Sequence, residues 1–400
     1  IGKTALVNEI RKLIIARRGF FITGKYDQYR RHIPHSAILQ AFSGLARQLL
    51  AESGARLGSW RAKILEALGP NGKIITDAIP EIAGIIGSQP EIPELGPEES
   101  LNRFQIVLKN FVRVFASEQH PLVLFLDDLQ WADSASLGLL KAILTDRTLD
   151  HILLIGAYRD TDTHAHHRLM LAVEELQAQG VNVAVEKLEA LTPPQVNQLI
   201  AGFLRCDPEL SEPLARLVHG KTLGNPFFVN QFLKNLYEEK ALVLDEKGCW
   251  TWDIELIRNM QVTDNVVDFM AAKIVRLPPA QQELIKVCAC VGSRFDLDTL
   301  AGVTEQPITG ILSSLSALIG QGLIAHGDGV YRFHHDRIQE AAYSLIAEEE
   351  RAQLHYRIGR RLLAAAPTER LAGRIFYIAD HYNLAHNQIT TPEEREVVAG

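Results

Sequence analysis

An α/β fold built on a parallel sheet and continued by helical domains is what the sequence predicts, and three stretches carry the prediction. The first is Leu122-Val123-Leu124-Phe125-Leu126, five large apolar residues in a row closed by Asp127-Asp128. A strand covered on both faces, as in a parallel sheet, needs an unbroken apolar run of this kind. The second is His151-Ile152-Leu153-Leu154-Ile155-Gly156-Ala157, a similar strand that leads to Tyr158-Arg159-Asp160. The third is Gly2-Lys3-Thr4, followed by a segment amphipathic at helical spacing, with Leu6, Ile10, Leu13 and Ile14 on one side, and then by the apolar strand Phe20-Phe21-Ile22-Thr23. Buried strands alternating with amphipathic helices make an α/β parallel sheet.

Taken in order, Gly19 is expected to stop the first helix. Residues 36–50 form the next, with Ile38, Leu39, Phe42, Leu45, Leu49 and Leu50 as its stripe. Residues 51–87 read as short helical pieces broken at Gly69-Pro70-Asn71-Gly72, and a proline-punctuated loop over 88–97 leads to a helix opened by Glu98-Glu99 and ending near Ser117. The 51–117 region is larger than an ordinary crossover and reads as a helical insertion between two strands of one sheet. Ser134 is the expected cap of the helix after Asp127-Asp128. A helix centred on Leu169 to Leu176 and a further strand, Val181 to Val185, complete a core spanning residues 1–190.

The pattern changes at Leu191. Thr192-Pro193-Pro194-Gln195 combines a capping residue, proline at the first helical position and Gln three residues after the cap. Residues 191–263 read as a helical lid interrupted at Gly224-Asn225-Pro226, with a small hairpin formed by Leu242-Val243-Leu244 and Cys249-Trp250-Thr251-Trp252. Over 264–346, helices at 264–276, 279–291, 296–303 and 308–320 precede a hairpin around Gly327-Asp328-Gly329, which suggests a winged-helix-like domain. Residues 347–400 are helical and suit the start of a helical-repeat, TPR-like region.

At 400 residues the chain has room for two or three domains. A hydrophobic content of 47% describes a globular protein, and a net charge of −7 provides no general basic footprint for nucleic acid. The helix at 308–320 contains no Lys or Arg. Phosphate contacts need positive charge, so this domain is expected to make protein contacts rather than bind DNA. Apolar runs fall short of membrane-spanning length and the first residues show no signal-peptide pattern, so a cytoplasmic protein without a membrane partner is expected. Cys206, Cys249, Cys288 and Cys290 have no zinc spacing and read as reduced thiols.

The chemistry centres on the sheet. Gly2-Lys3-Thr4 at the head of a helix is the back half of a phosphate-binding P-loop: Lys3 reaches the β- and γ-phosphates, the Thr4 hydroxyl binds Mg2+, and the helix dipole assists. A surface Gly-Lys-Thr turn is the alternative for the tripeptide alone. Asp127 and Asp128 tip the balance. At the carboxyl end of a buried strand in a nucleotide-binding sheet, the first carboxylate orders Mg2+ and the second polarises attacking water. Arg159, at the tip of the neighbouring strand, suits γ-phosphate sensing, with pairing to Asp160 or Asp162 equally open. Pro226 before Phe227 and Phe228 either presses on an adenine ring or is a loop proline beside two core aromatics. His334 or His335 either reaches a nucleotide phosphate or simply starts a helix beside Asp336. His164, His166 and His167 read as a solvated cluster rather than a metal site.

Together these residues resemble the signal-transduction P-loop ATPases of the STAND class within the AAA+ lineage, as found in large cyanobacterial multi-sensor Ser/Thr and histidine kinases. The matching stretches include IGKTALVNEI, FFITGKYDQYRRHIPHSAILQAF, ALGPNGKIITDAIPEI, PLVLFLDDLQWADSASL, ILLIGAYRD, GNPFFVNQFLKNLYEE and FHHDRIQEAAYSLI, and they extend over nearly the whole chain. The resemblance implies a P-loop NTPase core followed by helical lid, winged helix and helical repeats. It implies Gly2, Lys3 and Thr4 as nucleotide-binding, Thr4 and Asp127 as Mg2+ ligands, and Asp128, Lys3 and Arg159 as the catalytic set. Pro226 and His335, or less readily His334, would contact ATP or ADP. By the same resemblance the module is an ATP-binding, slowly hydrolysing regulatory switch whose partners are the kinase, helical-repeat and sensor domains of its own polypeptide and other proteins. Nothing within the chain resembles a kinase catalytic loop. The first strand and the Gly-rich front of the P-loop would precede residue 1, so ATPase activity is expected of the intact parent and not of the chain as it stands. A nucleotide-independent interaction scaffold is the alternative from another class, and a winged-helix DNA-binding regulator a further one.

Overall fold

A computed structural model of the chain describes residues 2–26, 34–159, 163–246, 248–260, 265–327, 329–365 and 375–388. They fall into two compact units, one of residues 3–185 with 375–380 and the other of residue 2, 186–365 and 381–388.

The first unit is built on three parallel strands. Helix α1 (Lys3–Ala16) precedes β1 (Phe20–Lys25) and α2 (Ser36–Leu50) follows it; α3 (Gly54–Leu68), α4 (Gly72–Ala78), α5 (Ala83–Ile86) and α6 (Pro97–Phe115) form the insertion before β2 (Leu122–Asp127). Helix α7 (Ser134–Leu144) leads to β3 (Ile152–Gly156), and α8 (Thr163–Ala178) follows. The strand order is β1-β2-β3, with β2 central. Residues 122–126 of β2 are all buried, as the apolar run requires. Alternation along the strand divides them between two cores: Val123 and Phe125 join Val7, Phe21 and Ala157 on one face, while Leu122, Leu124 and Leu126 join residues of α2, the insertion and α7 on the other. In-register pairing sets Lys25 beside Asp127 at the carboxyl edge. Gly24 is required there, because a Cβ would run into the Ala37 carbonyl of α2.

Four local expectations are corrected. The face of α1 turned to the sheet is that of Val7 and Ile14, whereas Leu6 and Leu13 are exposed. Spacing defined a stripe, but only the position of the sheet selects its edge. Arg18, in the left-handed conformation at φ 57°, makes the turn after α1, and Gly19 is instead needed for close approach to Pro121. Asp133, not Ser134, caps α7, accepting from the Ser136 N–H at 2.7 Å. Residues 181–185 are not a strand. Among the described residues β3 pairs only with β2, and Val185 is exposed. A β-prone run without a neighbouring ladder has nothing to bond its backbone.

The second unit opens with α9 (Pro193–Leu204), α10 (Pro208–Thr222) and α11 (Pro226–Glu238), then the antiparallel hairpin of β4 (Leu242–Leu244) and β5 (Trp250–Trp252). The Thr192–Gln195 capping box is present, with the Thr192 N–H donating to Gln195 Oε1 at 2.9 Å. Helices α12 (Ile254–Asn259), α13 (Val266–Val275) and α14 (Pro279–Val291) lead to strand β6 (Arg294–Phe295). Helices α15 (Leu297–Thr304) and α16 (Ile308–Gly320) follow, then the hairpin of β7 (Ile324–Gly327) and β8 (Val330–Phe333). The short strand β6, which the sequence pattern does not announce, pairs with β8 to give the antiparallel order β6-β8-β7. Helices α17 (Asp336–Ser344), α18 (Glu348–Ala365) and α19 (Ile375–Leu384) follow. Cys288 and Cys290 are buried free thiols. No helix among the described residues is long and apolar enough to cross a membrane.

His355 of α18 and His381 of α19 are both buried, with Nδ1 atoms 2.9 Å apart, and the Tyr343 hydroxyl lies 3.1 Å from His355 Nε2. One Nδ1 must donate and the other accept, so the two rings cannot both be protonated while the contact holds. Burial, aided by Arg351, pushes the His355 pKa down to about 4. Above the ordinary value near 6.5 folded and unfolded states bind the same protons; below it the unfolded chain takes up a proton that the folded ring refuses. Urea unfolding should therefore show this unit losing on the order of 1 kcal/mol per pH unit as pH falls from about 6.5 to about 4, and His355→Phe should flatten that slope.

Candidate functional site

The carboxyl edge of the three-stranded sheet is where the chemistry-bearing residues of the first unit collect. Lys3 begins α1, whose first turn carries no acidic residue, and its Nζ donates to the Tyr158 carbonyl just beyond β3 at 2.9 Å. Thr4 is exposed beside it, and Gly2 takes φ +71° with open space around it. A helix N-terminus with Lys and a hydroxyl, not opposed by acids, suits a phosphate group.

β2 ends in Asp127, half-buried, whose Oδ1 accepts the Asp128 N–H at 3.0 Å. Its carbonyl accepts the Tyr26 N–H at 3.1 Å, continuing the β1 ladder. Asp127 is a half-buried carboxylate at the strand edge, of the kind a hard divalent cation takes. Asp128 is different in kind. Only 4% of it is exposed, and its backbone turns left-handed at φ 53°. The turn carries the chain out of the strand into a 3-10 segment over Leu129–Trp131, pinned to the β3 end by the Leu129 N–H to the Ala157 carbonyl at 2.8 Å.

A buried carboxylate needs compensating charge or hydrogen bonds. Asp128 has both. Lys25 Nζ, from the end of β1, lies 3.4 Å from Oδ2, and Arg159 Nε, from beyond β3, lies 3.4 Å from Oδ1. Gln130 Nε2 donates to Oδ1 at 3.1 Å, while Gln130 Oε1 accepts the Arg159 N–H at 3.2 Å. Arg159 is thus paired with Asp128; Asp160 and Asp162, the alternatives open from the sequence, lie outside the described residues. Lys25 and Gln130 were missed by sequence reasoning. Lys25 had a signal, as the polar residue closing a buried strand in register with Asp127. Gln130, one amide in a short turn, had none.

Pro226, His334 and His335 belong to the second unit. Pro226 opens α11 after its cap Asn225, which accepts the Phe227 N–H at 3.1 Å. The preceding Gly224, at φ +70°, packs so tightly on the Leu191 backbone that a Cβ would collide with it. His335 caps α17, its Nδ1 accepting the Arg337 N–H at 3.2 Å, and its ring stacks on Phe227 with centroids 4.0 Å apart. His334 is exposed, and its N–H donates to the Leu323 carbonyl. The side chains of His164 and His166 lie outside the described residues, and no group of three metal-ligating side chains occurs among the described ones.

The family model described as AAA ATPase domain matches residues 1–155, the stretch that holds α1, the insertion and all three strands. Residues 1–155 are similar to AAA ATPase domains. A curated relative, hybrid signal transduction histidine kinase G of Dictyostelium discoideum, is 29% identical over 467 residues, covering 90% of this chain and 13% of its own length. The chain therefore corresponds to a small part of that protein. Among solved structures, a STAND (signal transduction ATPase with numerous domains) protein with a tetratricopeptide repeat sensor from Pyrococcus horikoshii shares 14% identity. It is matched over 97% of this chain and 51% of its own, with a TM-score of 0.45. RuvB of Thermotoga maritima shares 13%, over 70% of this chain and 85% of its own, with a TM-score of 0.25. At these scores neither adds to what the sheet and the family match establish. The sheet edge carrying Lys3, Asp127, Asp128 and Arg159 is the candidate active site, and the first three of these residues lie within the matched stretch.

The Lys25–Asp128 pair is partly shielded from solvent, so its strength should respond little to salt. In a double-mutant cycle on unfolding free energy with Lys25→Met and Asp128→Asn, the coupling is expected at about 1–2 kcal/mol, with only a small decrease when the salt concentration is raised.

Proposed function

We propose that the chain is an ATP-dependent regulatory switch of the STAND type, binding ATP with Mg2+ and hydrolysing it slowly to ADP and phosphate. The observation that carries this is the placement of Lys3, Asp127, Asp128 and Arg159 on one edge of one sheet, the first three of them within the segment that matches the AAA ATPase domain model. Lys3 and the N–H groups opening α1 hold the β- and γ-phosphates, Gly2 permits their close approach, and Thr4 and Asp127 hold Mg2+. When bound, Mg2+ neutralises charge developing on the phosphate oxygens. Asp128 takes a proton from the attacking water, and Arg159 reports the state of the γ-phosphate to the end of β3. Pro226 and His335 are assigned as nucleotide contacts; the Phe227–His335 stack supports treating them as one element.

The relative's description as a signal transduction histidine kinase supports a place inside a larger signalling polypeptide, in the cytoplasm, where kinase, helical-repeat and sensor domains are the partners. We divide the chain functionally into the ATPase core at 1–190 with its 51–117 insertion, a lid at 191–263, a winged-helix-like domain at 264–346 and the start of a TPR-like region at 347–400. The arrangement of α14, α15 and α16 with the β6-β8-β7 sheet supports the third of these. The absence of Lys and Arg from α16 argues for a protein partner there rather than DNA.

Isothermal calorimetry on the complete polypeptide tests the assignment. Lys3→Ala should abolish ATP binding, and undiminished binding would overturn the proposal. Asp128→Asn should bind ATP but release phosphate about 100-fold more slowly.

A further inference from the structure

Gln130 lies two residues past Asp128 in a stretch that gave it no role of its own, yet it joins the candidate base to the sensor segment. It is 2% exposed. Its amide makes one bond in each direction: Nε2 donates to Asp128 Oδ1 at 3.1 Å and Oε1 accepts the Arg159 main-chain N–H at 3.2 Å. The orientation of that amide is determined by its neighbours. Rotated by half a turn, it would set its oxygen against a carboxylate oxygen and its NH2 against an N–H, two repulsive contacts in place of two bonds.

The turn that carries the amide is fastened by its own backbone bonds. Trp131 N–H donates to the Asp128 carbonyl at 2.9 Å, closing the turn, and Leu129 N–H donates to Ala157 at 2.8 Å, fastening the turn to the strand end that carries Arg159. The charged groups facing Asp128 across this arrangement are Lys25 from β1 and Arg159 from beyond β3, with Asp127 next along the chain. Both cations sit on long, flexible side chains about a third exposed, at 32% and 29%. They balance the charge of Asp128 without fixing its direction. The short amide bridge fixes direction.

We propose that Gln130 is a positioning residue for ATP hydrolysis: its side-chain amide ties the Asp128 carboxylate to the Arg159 backbone, so that the base and the sensor arginine move as one body. A shift of the strand end on phosphate loss then re-aims the carboxylate without any contact between Gln130 and nucleotide. The proposal rests on Asp128 being the base, and its test separates the two.

Two variants divide the amide's bonds. Gln130→Glu keeps size and the acceptor for the Arg159 N–H but loses the donor to Asp128; Gln130→Met loses both. In the complete polypeptide, both are expected to lower kcat about 10- to 100-fold. ATP affinity by calorimetry and KM should stay within about twofold of the parent. The amide resonance of Arg159 should move in Gln130→Met and hold its place in Gln130→Glu. Unchanged kcat in folded Gln130→Met overturns the proposal. So does a loss of kcat matched by an equal loss of ATP affinity, or failure of both variants to fold, since each reports a structural role only. Full hydrolysis by Asp128→Asn, or none by the parent, overturns the base assignment itself.

Discussion

The buried carboxylate of Asp128 is the constraint around which the first unit is arranged. A carboxylate with 4% of its surface exposed is stable only with charge and hydrogen bonds brought to it. Those partners come from the ends of both neighbouring strands and from the turn after β2: Lys25 closes β1, Arg159 lies just beyond β3, and Gln130 sits in the turn. Each is within reach because the strands run parallel and in register, so that their carboxyl ends form one edge. The sheet that buries Val123 and Phe125 on one face and Leu122, Leu124 and Leu126 on the other is therefore also what assembles the polar site.

The same carboxylate that would take a proton from water is held between two cations. On the function proposed above, those cations would set when the base can act. Coupling through Gln130 would give that control a physical route: a short hydrogen-bonded bridge between the β2 end and the β3 end through one buried amide. The second unit has its own ordered cluster, where Gly224 packs on Leu191 and Phe227 stacks on His335. Residues singled out separately in the sequence, more than one hundred positions apart, meet there.

Most of the element order was legible from the chain. The apolar run 122–126, the capping box at Thr192–Gln195 and the periodicity of 279–291 and 308–320 all mark elements that the fold contains. These signals are local, since period and capping depend on residues within one or two turns of each other. The misses are equally consistent in kind. Val181 to Val185 has strand composition but no strand beside it, and α1 has an apolar stripe whose buried edge is set by where β1 and β2 lie. Ser134 was displaced as cap by Asp133, one residue earlier, because the Asp133 carboxylate reaches the Ser136 N–H.

The sequence by itself determined that Lys3 heads a helix and that two buried strands lead into Asp127-Asp128 and Arg159, because apolar runs and the polar residues that follow them are adjacent in the chain. Only the tertiary structure decided that Asp128 is the buried member of the acidic pair, that Lys25 and Arg159 flank it, and that Gln130 bridges it to the next strand end. Those contacts join residues from three strand ends, and no pattern along one segment specifies where a partner from another segment will lie. The histidine pair His355–His381 follows the same logic: neither residue stands out in its own helix, and its sensitivity to acid arises only when two helices bring the rings together in a site water does not reach.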